Sequence, residues 1–215
     1  MDGIRACMQP GIRRIRLGSL EPVIVTESFV QQLKDTPVCP QFHLALQSGC
    51  DDVLHRMRRR YTTDEFRTAC RLLRDAFPGC AITTDVICGF PQETEAEFDQ
   101  TCAFCREIGF ARMHVFPYSA RTGTKAAQMS GQVLKKVREE RARRLIAIGN
   151  HLSHAYHMSL VGREVDVLCE EMIDGLSTGY TDTYIPCRFP GGTPGQMARV
   201  RVTGLTDDGV TGELI

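Results

Sequence analysis

The chain has 215 residues, of which 42% are hydrophobic and 24% charged, enough to bury a core and to form one large and one small domain. No apolar run approaches the roughly 20 residues that span a bilayer, and the first residues, MDGIRACMQPG, lack the apolar stretch of a signal peptide. These features argue against a membrane helix and point to the cytoplasm. Net charge is zero, but residues 164–215 hold 3 Lys and Arg against 9 Asp and Glu, leaving 23 against 17 for residues 1–163. That split puts phosphate contacts mainly on the first part.

In chain order the pattern predicts a strand over 12–17, a helix over 27–34, a strand over 42–46 and a helical run over 51–59 (DDVLHRMRR). Residues 64–77 are predicted helical because Phe66, Ala69, Cys70 and Leu73 recur at three- and four-residue spacing, with Thr62 or Thr63 as cap and Pro78-Gly79 as the stop. A strand over 81–88, a helix over 94–108 and a strand over 113–116 follow. Strand, helix, strand at this rhythm implies parallel pairing through crossovers. The strands run into QSG (47–49) and GFPQET (89–94), so polar groups gather at their C-terminal ends, where ligands bind in α/β barrels.

Residues 134–160 form a long helical pattern with Leu134, Val137, Leu145, Ile148, Leu152 and Tyr156 in one stripe. Lys135, Lys136, Arg138, Arg143 and Arg144 lie largely off the stripe, either as a solvated face or as an RNA-facing surface. Beyond Gly162 the period becomes two: EVDVLCEE, GYTDTYIPCRFP, QMARVRV and VTGELI have the look of short strands, with Asp208-Gly209 as a hairpin turn. Of the ten cysteines, only Cys102 and Cys105 have metal-like spacing. They fall with Phe98 and Ile108 on one apolar helix face, where cysteine packs as a small hydrophobe. The others are scattered as reduced thiols would be, and no residue stands out as catalytic or as a metal ligand.

Four strings in fixed order, RIRLGSLEP (14–22), HLALQSG (43–49), VICGFPQET (86–94) and HVFPYSARTGT (114–124), with MRRRYT (57–62) lying between the second and third, resemble the C-terminal part of radical S-adenosylmethionine (SAM) methylthiotransferases acting on tRNA. The resemblance runs from about Gly11 to the C-terminus. MRRRYT and HVFPYS favour the branch that modifies N6-threonylcarbamoyladenosine beside the anticodon. The resemblance implies an α/β fold: the second half of a partial (β/α)6 radical SAM barrel over 1–133, a linking helix over 134–162, and a small antiparallel TRAM-like β-barrel over 163–215 that holds RNA. The first strand would then expose a parallel edge open to self-pairing.

For the intact family enzyme the resemblance implies SAM and 4Fe-4S clusters, with the tRNA anticodon stem-loop as partner. A cluster reduces SAM to a deoxyadenosyl radical, which abstracts hydrogen from the adenine ring so that a methylthio group can be installed. The family's Cys-x3-Cys-x2-Cys loop and its further cluster cysteines are absent from this sequence. The chain alone is therefore expected to be inactive and to need the N-terminal region or an external electron donor. The alternatives are a non-catalytic RNA-binding module, or a sister enzyme acting on isopentenyl-adenosine or a ribosomal protein.

By resemblance, Gln47 and Ser48 would reach a ribose or carboxylate at the barrel mouth, and Arg59 would hold the SAM carboxylate with its guanidinium fork. In the family pattern G-x-I-x-G-x-x-E, Asp85 replaces the first Gly, Ile87 and Gly89 match, and Gln92 stands where Glu is expected, with Glu93 beside it. Ile87 would pack on adenine, Gly89 would permit close backbone approach, and Phe116 and Tyr118 would close the pocket. Arg58, Arg60, Lys135, Lys136, Arg199 and Arg201 are the candidate RNA contacts, with Arg188, Tyr180 and Tyr184 as further specific ones. His43 and His114 are expected to pack within their strands.

Overall fold

The computed structural model describes all 215 residues. Four parallel strands, β1 (Ser19–Leu20), β2 (Gln41–Leu44), β3 (Ala81–Cys88) and β4 (Arg112–Pro117), lie side by side in chain order. Helices α1 (Asp2–Cys7), α2 (Glu27–Lys34), α3 (Asp51–Arg56), α4 (Thr63–Ala76), α5 (Glu95–Ile108) and α6 (Lys125–Gln128) belong to the same half. Alternation fixes which sheet face is covered: Phe42 and Leu44, then Ile82, Val86 and Cys88, join Leu73, Phe98, Cys105 and Phe110 in a core of 26 buried residues. Met113 and Val115 of β4 pack on it, while Arg112, His114 and Phe116 point the other way and are exposed.

Local chemistry sets the long helices. Thr62 and Thr94 each accept from the amide three residues on, and Glu65 and Glu97 return the bond, so α4 and α5 both open with a capping box. Cys102 and Cys105 are buried in this core, 3% and 0% exposed, as their apolar spacing predicted. Helix α7 (Lys135–Met158) then crosses β4 and α5. Its buried side carries Leu145 and Ile148, whereas Leu134 at the head of the predicted stripe is 73% exposed.

The remainder is a closed barrel, β5 (Glu164–Ile173), β6 (Leu176–Thr181), β7 (Pro186–Pro190), β8 (Met197–Leu205) and β9 (Val210–Leu214), in the order β5-β6-β7-β9-β8. All its pairs are antiparallel except β7 with β9. Val165, Val167, Phe189, Val200 and Val210 alternate inward around a core of 11 residues.

Three expectations need correction, and one turn was not predicted. The strand over 12–17 is absent, leaving one bridge from Ile15 to Val38 and the two-residue β1, because Arg14 and Arg16 are drawn out to other partners. Such a short edge strand offers little to a stray chain. The helical run over 51–59 stops at Arg56, since Arg58 turns left-handed at φ 59°. GYTDTYIPCRFP is two strands, broken where Tyr184 takes φ 64°. The β5–β6 hairpin turns at Asp174-Gly175, both at positive φ, a second Asp-Gly signal of the same kind as that at 208–209.

Candidate functional site

The open sheet face is polar along its lower half. Gln41 donates to Thr83 Oγ1 at 3.0 Å, His43 Nδ1 lies 3.0 Å from the same oxygen, and His43 Nε2 is 3.4 Å from Asp85. Further along, Asp85 and Ile87 share that face, and Ile87 sits opposite Phe116 in register, the latter ring half exposed. Gln47 joins them through its backbone: its amide donates to Asp85 O at 2.9 Å and its carbonyl accepts from Ile87 N at 2.8 Å, at φ 66°. Left-handed residues of this size are uncommon; Gln47 and Gln92 occur in the loops that leave the C-terminal ends of β2 and β3, and Arg58 in the α3–α4 loop. Arg59, half-buried, is near enough to Tyr61 to oppose the burial that pushes that phenol up to about 12. Tyr61 donates to the carbonyls of Ala45 and Leu46, so Arg59 stands beside the end of β2.

Three sequence-based candidates lie elsewhere. Ser48 is fully buried, within 3.1 Å of Thr101 Oγ1 and accepting from Cys50 N, so it supports the turn and does not reach the mouth. Tyr118 packs edge-on against Phe90, 5.3 Å between ring centres, instead of closing the face with Phe116. Gly89, at φ 73°, is required for a different approach: a Cβ there would collide with Arg138 Cγ. The close neighbour is α7.

Arg138, Arg141 and Arg144 of α7 form a clamp on the β3–α5 loop. Arg138 donates to Tyr118 O. Arg141, 5% exposed, donates to the carbonyl and carboxylate of Glu93 and to Glu95, and Arg144 pairs with Glu95 and Asp99. Glu93 also accepts from Gly89 N. Burial pushes its carboxyl up, opposed by that amide and by Arg141. Thus Glu93 makes the contact with Gly89, while Gln92 turns out to Ser130. The sequence signal for this pair was a single arginine at a stripe position of an otherwise apolar helix side, which the pattern of exposed basic residues hid. Only Lys135, Lys136 and Arg143 of the basic set remain on the surface free of α5.

On the barrel, Arg201 pairs with Glu164 at 2.9 Å, Arg199 with Asp166 at 3.1 Å, and Arg188 with Asp208 at 3.8 Å. The first two are directly opposed across β5 and β8. Their charges are matched within the barrel. Arg58 and Arg60 are exposed and form no ion pair. His43 and His114 are not packed in the core; both line a cleft of about 1300 Å³ between the open sheet face, α7 and the barrel. Burial and Arg112 hold His114 below its usual value, and burial and His154 do the same to His157 across the cleft.

A cluster fits poorly: nine of the ten thiols are buried, and the one group of potential ligands, Cys50, Asp52 and Glu97, uses Glu97 for the α5 cap and Arg56. A nucleoside fits better, through the apolar Ile87 and Phe116 and the polar Asp85 on the open face.

Residues 3–105 match the model of the Radical SAM superfamily and residues 158–215 that of the TRAM domain. The chain is 38% identical over 200 residues to the threonylcarbamoyladenosine tRNA methylthiotransferase MtaB of Bacillus subtilis, covering 89% of this chain and 44% of that protein. It is 37% identical over 203 residues to the protein of that name from Thermotoga maritima, covering 94% and 47%. It is 45% identical over 162 residues to the tRNA-2-methylthio-N(6)-dimethylallyladenosine synthase of Frankia alni, covering 75% and 33%. The chain thus spans less than half the length of these relatives. Among solved structures, coproporphyrinogen III oxidase (HemN) from Escherichia coli superposes with a TM-score of 0.54 at 15% identity, covering 79% of this chain and 46% of that one. That likeness concerns the fold alone.

Proposed function

The chain belongs to the radical SAM superfamily and ends in a TRAM domain, and from that premise we propose that it is the C-terminal portion of a tRNA methylthiotransferase, positioning cofactor and tRNA. The observation that carries this is the gathering of Asp85, Ile87 and Phe116 on one open face at the strand ends, with the buried Gln47 tied to β3 beside them through its backbone, in a chain that also carries a TRAM barrel. Ile87 and Phe116 offer the adenine an apolar surface, Asp85 offers the ribose a polar partner, and the Arg59 fork suits the SAM carboxylate. SAM supplies the radical chemistry in this superfamily. The residues present do not fit a 4Fe-4S cluster, so the chain alone neither holds one nor cleaves SAM. No helix is long and apolar enough to cross a membrane, and a cytoplasmic location is in keeping with the tRNA-modifying reading.

The substrate of the intact enzyme is N6-threonylcarbamoyladenosine beside the anticodon, in keeping with the names of the relatives matched over 89% and 94% of the chain. A second reading, dimethylallyl-adenosine, draws on the higher identity of a shorter match. Binding of anticodon stem-loops carrying either modified adenosine discriminates them. Tighter binding of the threonylcarbamoyl form supports the first; equal or reversed preference overturns it.

A further inference from the structure

Where the sheet meets the barrel, three side chains from the two parts stack. The Tyr180 and Tyr184 rings lie 5.4 Å apart and 25° from parallel, and the Arg16 guanidinium lies 4.0 Å from the centre of the Tyr184 ring. Arg16 comes from the segment before β1 and is aimed by its Nε donating to Gln41 at 3.1 Å. Its neighbour Arg14 donates to the carbonyls of Tyr180 and Asp166. Tyr184 holds φ 64°, a conformation a bulky residue rarely takes, in the turn between β6 and β7. The three residues border both the large cleft and a second hollow of about 160 Å³, so the stack stands between two open spaces.

We propose that Arg16, Tyr184 and Tyr180 form a stacking site for one unpaired nucleobase of single-stranded RNA, a site that rests on the tRNA-binding reading and gives it a place. Bases stack on tyrosine rings and on guanidinium planes, and this is how proteins take unpaired RNA. Charge alone serves the barrel badly, because its three arginines are matched by Asp166, Glu164 and Asp208. Stacking needs no free charge. Arg112, exposed on the cleft and in no ion pair, is available to the adjoining phosphate. Base preference at such a site follows stacking strength, which favours the larger ring of adenine over uracil.

The chain contains five tyrosines and no tryptophan, so tyrosine emission includes the two rings of the stack, and the Phe variants isolate their share. The test titrates the full chain with labelled octa-adenylate and octa-uridylate, following anisotropy and tyrosine quenching. Octa-adenylate is expected to bind more tightly and to quench. Tyr180→Leu and Tyr184→Leu should each weaken it roughly five- to a hundredfold, and Tyr180→Phe with Tyr184→Phe should keep the affinity while losing the quench. A stack that merely fastens the two parts together would shift the thermal midpoint of the Leu variants and leave their affinity unchanged, which overturns the site but not RNA binding. Failure of the wild-type chain to bind any RNA, including an anticodon stem-loop, overturns both.

Discussion

The two parts of this chain solve the same problem, a sheet with edges, in opposite ways. The TRAM barrel closes on itself, so no strand lacks a neighbour, and 11 inward residues suffice for its core. The parallel sheet stays open, ends in a two-residue strand, and leaves one face uncovered. It is held from outside, by α7 and by the Arg14 and Arg16 contacts to the barrel. The barrel is therefore the self-sufficient part, and the sheet is the part whose binding face depends on its supports.

Removing the clamp should have the largest effect. Arg141→Met leaves the Glu93 carboxylate buried without its partner, which costs about 3–5 kcal/mol. Hydrogen exchange should speed up in β3 and α5 while the β5–β9 amides keep their protection. Equal loosening of the barrel would mean that the two parts unfold as one and that the contrast is wrong.

Next in size is the α5 cap. Thr94→Ala removes the oxygen that accepts from Glu97 N and should lower stability by about 1 kcal/mol, seen as a lower urea midpoint.

A smaller effect follows acid. His114 and His157 both sit below their unfolded values, so the folded chain binds fewer protons than the unfolded one as pH falls. Their neutral forms are fully tolerated above the unfolded value near 6.5, and stability is lost as pH falls through the lowered folded values. The thermal midpoint should drop on going from pH 7.5 to about 5.5, and His114→Gln with His157→Gln should flatten that drop. An unchanged slope in the double variant would remove the cleft as the source.

The smallest effect is expected on the barrel surface. Arg201→Ala breaks an exposed pair with Glu164, and exposed pairs contribute little. An unaltered thermal midpoint is expected, and a large drop would show that the barrel relies on its charges after all.

Much of the fold was legible because its signals are local. The spacing of Phe66, Ala69, Cys70 and Leu73, the cap at Thr62 or Thr63, and the alternation of EVDVL each fix an element within a few residues. The strand over 12–17 failed for a nonlocal reason: Arg14 and Arg16 are claimed by carbonyls and rings more than 150 residues away. The site divides the same way. Asp85, Ile87 and Phe116 share a face because strand alternation and parallel register place them there. Ser48 stands four residues past the end of β2 and Tyr118 one past the end of β4, where alternation no longer says which way a side chain points. Gly89 carried a true signal of close approach, but the sequence did not identify Arg138 as what approaches.

The central claim is that the open sheet's free cations carry RNA phosphate while the barrel's are spent internally. The salt dependence of anticodon stem-loop binding tests it most directly, with Arg58→Ala and Arg60→Ala measured against Arg199→Ala and Arg201→Ala in the full chain. The account predicts that each sheet-side substitution weakens binding and lowers the slope of log affinity against log salt by about one unit, while the barrel substitutions leave the slope unchanged. A slope that falls only for Arg199 and Arg201 would contradict it.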